Sequence, residues 1–139
     1  MNAHIAISRI EARLIADDER SLVLPRHFGH RAIFVEDAIF RWLRQLSEHY
    51  HGGSWRMFEL SNHGYYMAPE MDRVLPIEVA GNGFSGRMSA DAAGITACLF
   101  AYSHLSFEFP DARLDFHYQQ LLAFADQHHE ASAIFSAID

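Results

Sequence analysis

The sequence has 139 residues, of which 18 are acidic and 11 basic, so its net charge is −7. This acidic balance disfavours nonspecific binding to nucleic acid, whose phosphates attract basic surfaces. The longest apolar run, residues 92–101, is too short to cross a bilayer, and the N-terminus lacks the pattern of an export signal. With a single cysteine, Cys98, an intramolecular disulfide is impossible. We therefore expect one cytoplasmic domain over residues 1–139, with no membrane partner.

The first part of the chain predicts a strand, a helical turn and one long helix. Residues 3–14 mix strand and helix spacing, and we interpret them as a strand that passes into a turn. Asp17 or Asp18 can cap a short helical turn. Pro25 and Gly29 end this turn, and a loop follows. An amphipathic helix then begins near residue 35 and ends at residues 52–53, with (i, i+4) ion pairs Asp37/Arg41 and Arg44/Glu48. Its apolar stripe consists of Val35, Ile39, Trp42, Leu43, Leu46 and Tyr50.

The second part predicts strands and then helices. Four short segments between residues 55 and 89 are rich in aromatic or β-branched residues and are separated by turn signals, which indicates an antiparallel meander. Ser89 and Asp91 open a largely apolar helix that reaches Leu105, Pro110 starts another, and residues 130–138 form a last short one. The buried stripe of the second helix consists of Leu114, Tyr118, Leu121, Leu122 and Ala125. The fold class is α+β: a meander of about four strands packed with several helices in a single compact domain.

The stretch Gly81-x-Gly83-x-x-Gly86 has the spacing of a dinucleotide-binding loop. In such a loop the helix begins within the glycine motif, whereas residues 84–88 alternate as in a strand. Asn82-Gly83 is favoured in tight two-residue hairpin turns. We therefore predict a hairpin without a ligand, and no cofactor.

Ten histidines suggest three possible metal sites: His27 with His30, Glu48 with His49 and His51, and His128 with His129. None has the spacing of a structural zinc site or of a His-Glu-x-x-His helix, so we expect no metal centre. No serine lies in a Gly-x-Ser-x-Gly elbow, and Cys98 falls in an apolar helix. We therefore expect no catalytic residues and no enzyme activity.

Five motifs follow one another along nearly the whole chain: LPRHFG, FVEDAIFRWLRQL, YHGGSWRMFELSNHGYYMAP, VAGNGFSGRMSADAAGITACLFAY and HHEASAIFSAID. Together and in this order they resemble the ArdB/KlcA antirestriction family. One difference is His63, where the family pattern has glycine, which makes this hairpin tip a poor candidate for a required contact. The resemblance implies an inhibitor of type I restriction and modification enzymes, carried by mobile elements such as plasmids, that protects incoming DNA.

The partner implied is therefore the host type I restriction-modification enzyme. A globule of this size is roughly 35 Å across, and mimicry of a DNA duplex along it would need on the order of 20 unpaired negative charges. The net charge of −7 disfavours such mimicry and direct nucleic-acid binding, and favours protein contact through a mixed surface. The alternative function is a small metal-dependent hydrolase with a histidine site.

Six residues are candidates for partner binding, each with a structural alternative. Trp55 is either a partly exposed anchor or buried beneath a helix. Glu36 can interact with the dipole of the first helical turn, and Asn62 can serve its own turn. The candidates are Arg20, Glu36, Trp55, Glu59, Asn62 and Tyr66.

Overall fold

A computed structural model describes residues 9–139. The first residues of the predicted N-terminal strand therefore lie outside the described range, and its end forms β1. The strands are β1 (Ala12–Leu14), β2 (Trp55–Leu60), β3 (Tyr65–Pro69), β4 (Leu75–Val79) and β5 (Phe84–Met88). The helices are α1 (Arg20–Phe28), α2 (Ala32–Leu46), α3 (Ala90–Glu108), α4 (Ala112–Asp126) and α5 (Ala131–Ile138). The predicted α+β class is confirmed.

The central element is α3, which contacts α2, α4, α5 and β3. The Ser89 side chain caps it by accepting a hydrogen bond from the Ala92 amide at 3.1 Å, as the sequence predicts. Gly94 allows the helix to approach β3 closely, since a Cβ at this position would lie 2.5 Å from the Cα of Ala68. Because α3 is buried on almost every side, its sequence is apolar almost all round.

The four predicted strands form two antiparallel hairpins, which belong to separate sheets instead of one continuous meander. The β2–β3 hairpin is extended by β1 into a three-stranded sheet, whereas β4 and β5 pair only with each other. The second hairpin contains the glycine motif, with Val79 opposite Phe84. Its loop is therefore four residues long, not two, and Gly83 has the positive φ of 76° that favours glycine.

Helices α1 and α2 differ most from their predicted bounds, while α3 extends past Leu105 to Glu108 and α4 begins at Ala112 instead of Pro110. Helix α1 continues through Pro25 to Phe28, because burial of Val23, Leu24 and Phe28 stabilises it against the loss of one amide donor. Helix α2 ends at Leu46, before the two glycines. Glu48 thus lies beyond the helix, and no Arg44/Glu48 ion pair occurs within residues 9–139. The Asp37/Arg41 pair forms as predicted, at 2.8 Å.

The buried stripe of α4 is shifted from the predicted one. Leu114, Leu121 and Ala125 are buried, while Tyr118 and Leu122 are only partly covered. His117 and Phe124 are buried in addition. No helix in the described part of the chain is long and apolar enough to span a membrane.

Candidate functional site

The Glu59 carboxylate on β2 is hydrogen-bonded to basic side chains from β1 and α1. The strand register places Glu59 opposite Arg13 of β1, whose guanidinium donates to it at 2.5 Å. Helix α1 brings Arg26 to 3.2 Å and the His27 Nε2 to 2.6 Å from the other carboxylate oxygen. Glu19 lies 3.6 Å from Arg13 and 3.7 Å from Arg26. We call these five residues the Glu59 cluster.

Charge in the Glu59 cluster is balanced but remains accessible. Partial burial of the Glu59 carboxyl acts to raise its pKa, but hydrogen bonds from His27 and Arg13 outweigh this, so its pKa lies below the ordinary value. The side chains of Arg13 and Arg26 remain 57% and 47% exposed. Arg13, His27 and Glu59 line a depression of about 600 Å³ that also reaches Ser61. This mixed-charge surface is suited to polar contacts with another protein.

A second imidazole lies behind the Glu59 cluster. The ring of His117 meets that of His27 edge-on at 5.0 Å and lies 4.4 Å from Phe28. Burial, and then the charge of His27, lower the pKa of His117 to about 4, so the ring is neutral at pH 7. Sequence analysis missed this residue, although its spacing from Leu114 and Leu121 by three and four positions indicates the buried face of α4.

A separate network surrounds Asp91 at the start of α3. The Tyr66 hydroxyl donates to one Asp91 oxygen at 2.8 Å, and His128 Nε2 lies 2.9 Å from the other. Because the Glu130 amide donates to His128 Nδ1 at 3.0 Å, Nε2 carries the proton and donates to Asp91. Burial acts to raise the pKa of Asp91, but these hydrogen bonds outweigh it and hold the pKa below its ordinary value. The network ties β3, α3 and the α4–α5 connection together.

A family profile described as "Antirestriction protein" matches residues 48–139. The chain belongs to the antirestriction protein family. It is 48% identical to "Antirestriction protein KlcA" of Escherichia coli over 140 residues, and this match covers 95% of each chain. It is also 38% identical over 129 residues to "Uncharacterized protein YafX" of Escherichia coli strain K12, covering 90% of this chain and 85% of that one.

A solved structure also matches, with a TM-score of 0.88, 43% identity and complete coverage of both chains. It comes from work on KlcA and ArdB that describes a novel fold and antirestriction activity against type I DNA restriction systems in vivo but not in vitro. The resemblance inferred from the motifs is therefore confirmed.

In this antirestriction protein, two of the six candidates are in the core. Trp55 is 4% exposed and donates to the Tyr50 hydroxyl at 2.7 Å, so the buried alternative is correct and the exposed anchor is not. Tyr66 is 2% exposed, and burial raises the pKa of its hydroxyl, which is held by Asp91. Neither ring can contact a partner unless the protein opens.

The other candidates lie nearer the surface. Asn62 serves its turn by accepting from the Gly64 amide at 3.1 Å, and donates to the Gln120 carbonyl at 2.9 Å. Arg20 and Glu36 are half-buried, and their charges, like that of Glu59, act on the buried Tyr65 hydroxyl. Glu36 is the fifth residue of α2, so it lies beyond the first turn where a carboxylate interacts best with the helix dipole.

One group in the described part of the chain has metal-ligand spacing: His128, His129 and Glu130. Both ring nitrogens of His128 are already hydrogen-bonded. The Glu130 carboxylate accepts from the Ser89 amide and hydroxyl, so a metal would have to displace these bonds. Burial raises the pKa of Cys98 to about 12, which leaves it a thiol and a poor nucleophile at pH 7.

Proposed function

We propose that the protein inhibits host type I restriction and modification enzymes by contacting the restriction machinery outside the groove that recognises DNA. Such contact would protect incoming mobile-element DNA without full DNA mimicry. The observation that carries this proposal is the Glu59 cluster, in which arginines from β1 and α1 neutralise the carboxylate while remaining exposed. A duplex mimic requires carboxylates that stay unneutralised along one face.

Other carboxylates are neutralised in the same way. Asp111 accepts hydrogen bonds from Arg31 at 3.2 Å and from Arg113 at 2.8 Å. Arg113 in particular holds the pKa of Asp111 well below its ordinary value. Asp37 is paired with Arg41 on α2. With a net charge of only −7, this pairing leaves too few free negatives to replace a duplex.

The behaviour described for KlcA and ArdB, activity in vivo but not in vitro, supports the same interpretation. A mimic that fills the DNA groove needs only the purified enzyme to show its effect, because the groove is present in that enzyme. Inhibition confined to the cell instead favours a contact with a state or component of the restriction machinery that forms there. The decisive experiments are therefore cellular.

The proposed contact surface is centred on the Glu59 cluster and includes Arg20 and Glu36. The two half-exposed arginines, Arg13 and Arg26, are suited to such contacts because arginine presents several donors in a rigid plane. Asn62 supports this surface from the adjoining turn, through its bond to Gln120. Trp55 and Tyr66 are buried and do not belong to this surface.

The test is to express the protein in a host that both restricts and modifies, and to score phage plating and the methylation of progeny phage DNA in parallel. We expect restriction to be relieved while methylation of the same sites continues. Cells without the protein give the baseline for both measurements. If methylation falls in step with restriction, DNA mimicry is the better mechanism, because both activities begin with the same site contacts.

The contact surface is tested by the double variant Arg13→Gln with Arg26→Gln. Both guanidiniums are lost, while His27 continues to hold Glu59. We expect relief of restriction to fall about ten-fold or more, since interface arginines commonly contribute above 1 kcal/mol. The matched control is Arg56→Gln, an exposed arginine of β2 whose nitrogen lies 3.8 Å from Glu70. Equal activity of the double variant and the control would remove the Glu59 cluster from the contact.

The hydrolase alternative gains no support from the histidine group near residue 128, whose His128 and Glu130 ligand atoms are engaged in hydrogen bonds. Metal analysis of protein purified without a histidine tag tests it directly. The proposed function predicts substoichiometric zinc and manganese. One equivalent of either metal per chain would instead favour the hydrolase.

A further inference from the structure

A groove lies between α2, α3 and the β4–β5 hairpin. Its base is the ring pair Trp42 and Phe100, which stack with centroids 4.6 Å apart and an interplanar angle of 9°. Phe84 and His104 complete the aromatic lining, and the groove encloses about 550 Å³. None of these four aromatic side chains is fully buried. We call this feature the aromatic groove.

Two side chains of the aromatic groove, Glu78 and His104, offer acceptors to a cationic ligand. Glu78 lines it from β4, is exposed and forms no ion pair with any residue in 9–139. His104 Nδ1 lies 3.1 Å from the Phe100 carbonyl, so it donates there, which leaves Nε2 of the neutral ring as an acceptor. No lysine or arginine lines this groove.

Acidic character continues into the two depressions that adjoin the groove. Glu48 shares one of them with Glu78, and Glu108 shares the other with Trp42 and His104. Neither Glu48 nor Glu108 pairs with a cation within the described residues. The one arginine there, Arg41, is already bonded to Asp37. The groove therefore combines aromatic surfaces with uncompensated negative charge.

We propose that the aromatic groove docks an arginine side chain from a protein partner, its guanidinium stacked on the aromatic lining and hydrogen-bonded to Glu78. A guanidinium is planar, always charged and weakly hydrated, so it can meet an aromatic face and a carboxylate at once. This inference rests on the proposed function only in placing that partner within the restriction machinery.

The negative charge around the groove disfavours a nucleotide, which is the other ligand that commonly stacks on aromatic side chains. A nucleobase could also stack on Trp42, but its phosphate would approach Glu78, Glu48 and Glu108 without a compensating cation in the groove. An arginine meets the same carboxylates with favourable charge. The groove is thus matched to a cation and not to a nucleotide.

The two tryptophans of the chain provide an internal control for a binding experiment. The Trp42 indole lies in the groove, whereas the Trp55 indole is buried and bonded to Tyr50. NMR titration with a capped Gly-Arg-Gly peptide should shift the Trp42 indole N–H resonance in a saturable way and leave that of Trp55 in place. The matched peptide carries citrulline, which has nearly the same shape as arginine without the charge. Its affinity should be lower by about five-fold or more.

The variant Glu78→Gln tests the carboxylate. It should weaken binding of the arginine peptide by about two- to five-fold, the effect of losing one exposed ion pair. The control Asp115→Asn removes an exposed carboxylate of α4 that lines none of the three depressions, and should leave binding unchanged. Equal binding of the arginine and citrulline peptides, a stronger shift of Trp42 with AMP, or an unaffected Glu78→Gln variant would overturn the inference.

Phage restriction separates this inference from the proposed function. Glu78→Gln should reduce relief of restriction, whereas Asp115→Asn should not. If the wild-type protein relieves restriction but its Trp42 resonance does not shift with the arginine peptide, the docking inference fails and the proposed function stands. If the peptide binds but the wild-type protein gives no relief, the proposed function fails and the groove still recognises arginine.

Discussion

The two hairpins use the same turn chemistry in very different surroundings. Asn62 accepts from the Gly64 amide and Asn82 from the Phe84 amide, each bonding two residues ahead. Each asparagine also donates to a helix carbonyl, that of Gln120 in α4 or Ala137 in α5. The strands differ in burial. Every residue of β3 is buried, whereas β5 alternates between partly covered and exposed positions before ending at a buried Met88.

This difference shows that a hairpin's turn determines its local geometry. Its packing determines whether its side chains stabilise the core or remain accessible to a partner. The first hairpin lies under α3 and supports the core, so its side chains contribute stability. The second borders the aromatic groove with one face in water, so its side chains are available to a partner. The following predictions test this division in order of decreasing effect.

Replacing Trp55, at the start of the first hairpin, should have the largest effect. Trp55→Ala removes a buried ring and leaves the Tyr50 hydroxyl without its donor, so unfolding free energy should fall by about 3 to 5 kcal/mol. Trp42→Ala, at the groove beside the second hairpin, should cost only about 1 to 2 kcal/mol. Urea denaturation compares the two variants. A Trp42→Ala loss as large as that of Trp55→Ala would make the groove part of the core.

Two glycine replacements compare backbone packing with side-chain packing. Gly94→Ala would place a Cβ 2.5 Å from the Ala68 Cα and the Met67 carbonyl oxygen of β3, and should lower stability by about 1 to 3 kcal/mol. Gly86→Ala on β5 would meet only the end of the Phe84 ring, at 2.7 Å. Because that ring can move into the groove, the loss should be below about 1 kcal/mol. Thermal melts that rank Gly86→Ala as the more damaging change would reverse the proposed roles of the hairpins.

The two asparagines test the turns themselves. Asn62→Ala removes two hydrogen bonds at a partly buried site and should cost about 1 to 2 kcal/mol. Asn82→Ala also removes two hydrogen bonds, but Asn82 is exposed and water can satisfy the Phe84 amide, so the cost should be about 0.5 to 1 kcal/mol. Chemical denaturation measures both losses, and hydrogen exchange at the Gly64 and Phe84 amides shows whether each effect stays local. Equal losses would mean that the difference in burial does not matter at the turns.

The smallest effect is a gain. His63 has a φ of 72°, a left-handed conformation that favours glycine, so His63→Gly should stabilise the protein by about 0.5 to 1 kcal/mol. Gly83→Ala at the corresponding turn of the second hairpin should destabilise it by about 1 kcal/mol. Because the tip of this hairpin is predicted to make no required contact, relief of restriction should be unchanged by His63→Gly. A drop in relief with stability retained would place His63 in the contact.

Much of the fold could be predicted from short-range patterns. The Ser89 cap of α3, the strand alternation of residues 84–88 and the turn role of Asn82 all depend on neighbours within a few positions. Local patterns failed where distant contacts outweighed them. Pro25 is accommodated in α1 because the helix buries apolar residues against the rest of the protein. The four strands divide into two sheets, and while α3 contacts both hairpins, α5 packs on β5 and α4 on β3.

The class of fold, the capped and buried α3, the turns and the family could all be predicted from local spacing and motif order. Which aromatic residues are accessible became evident only from the packing of the elements: Trp55 is enclosed, whereas Trp42 lies in a groove with Phe84 and Phe100. That packing likewise assembled the Glu59 cluster from residues up to 46 positions apart. Surface chemistry of this kind depends on which elements meet, and no local pattern encodes that.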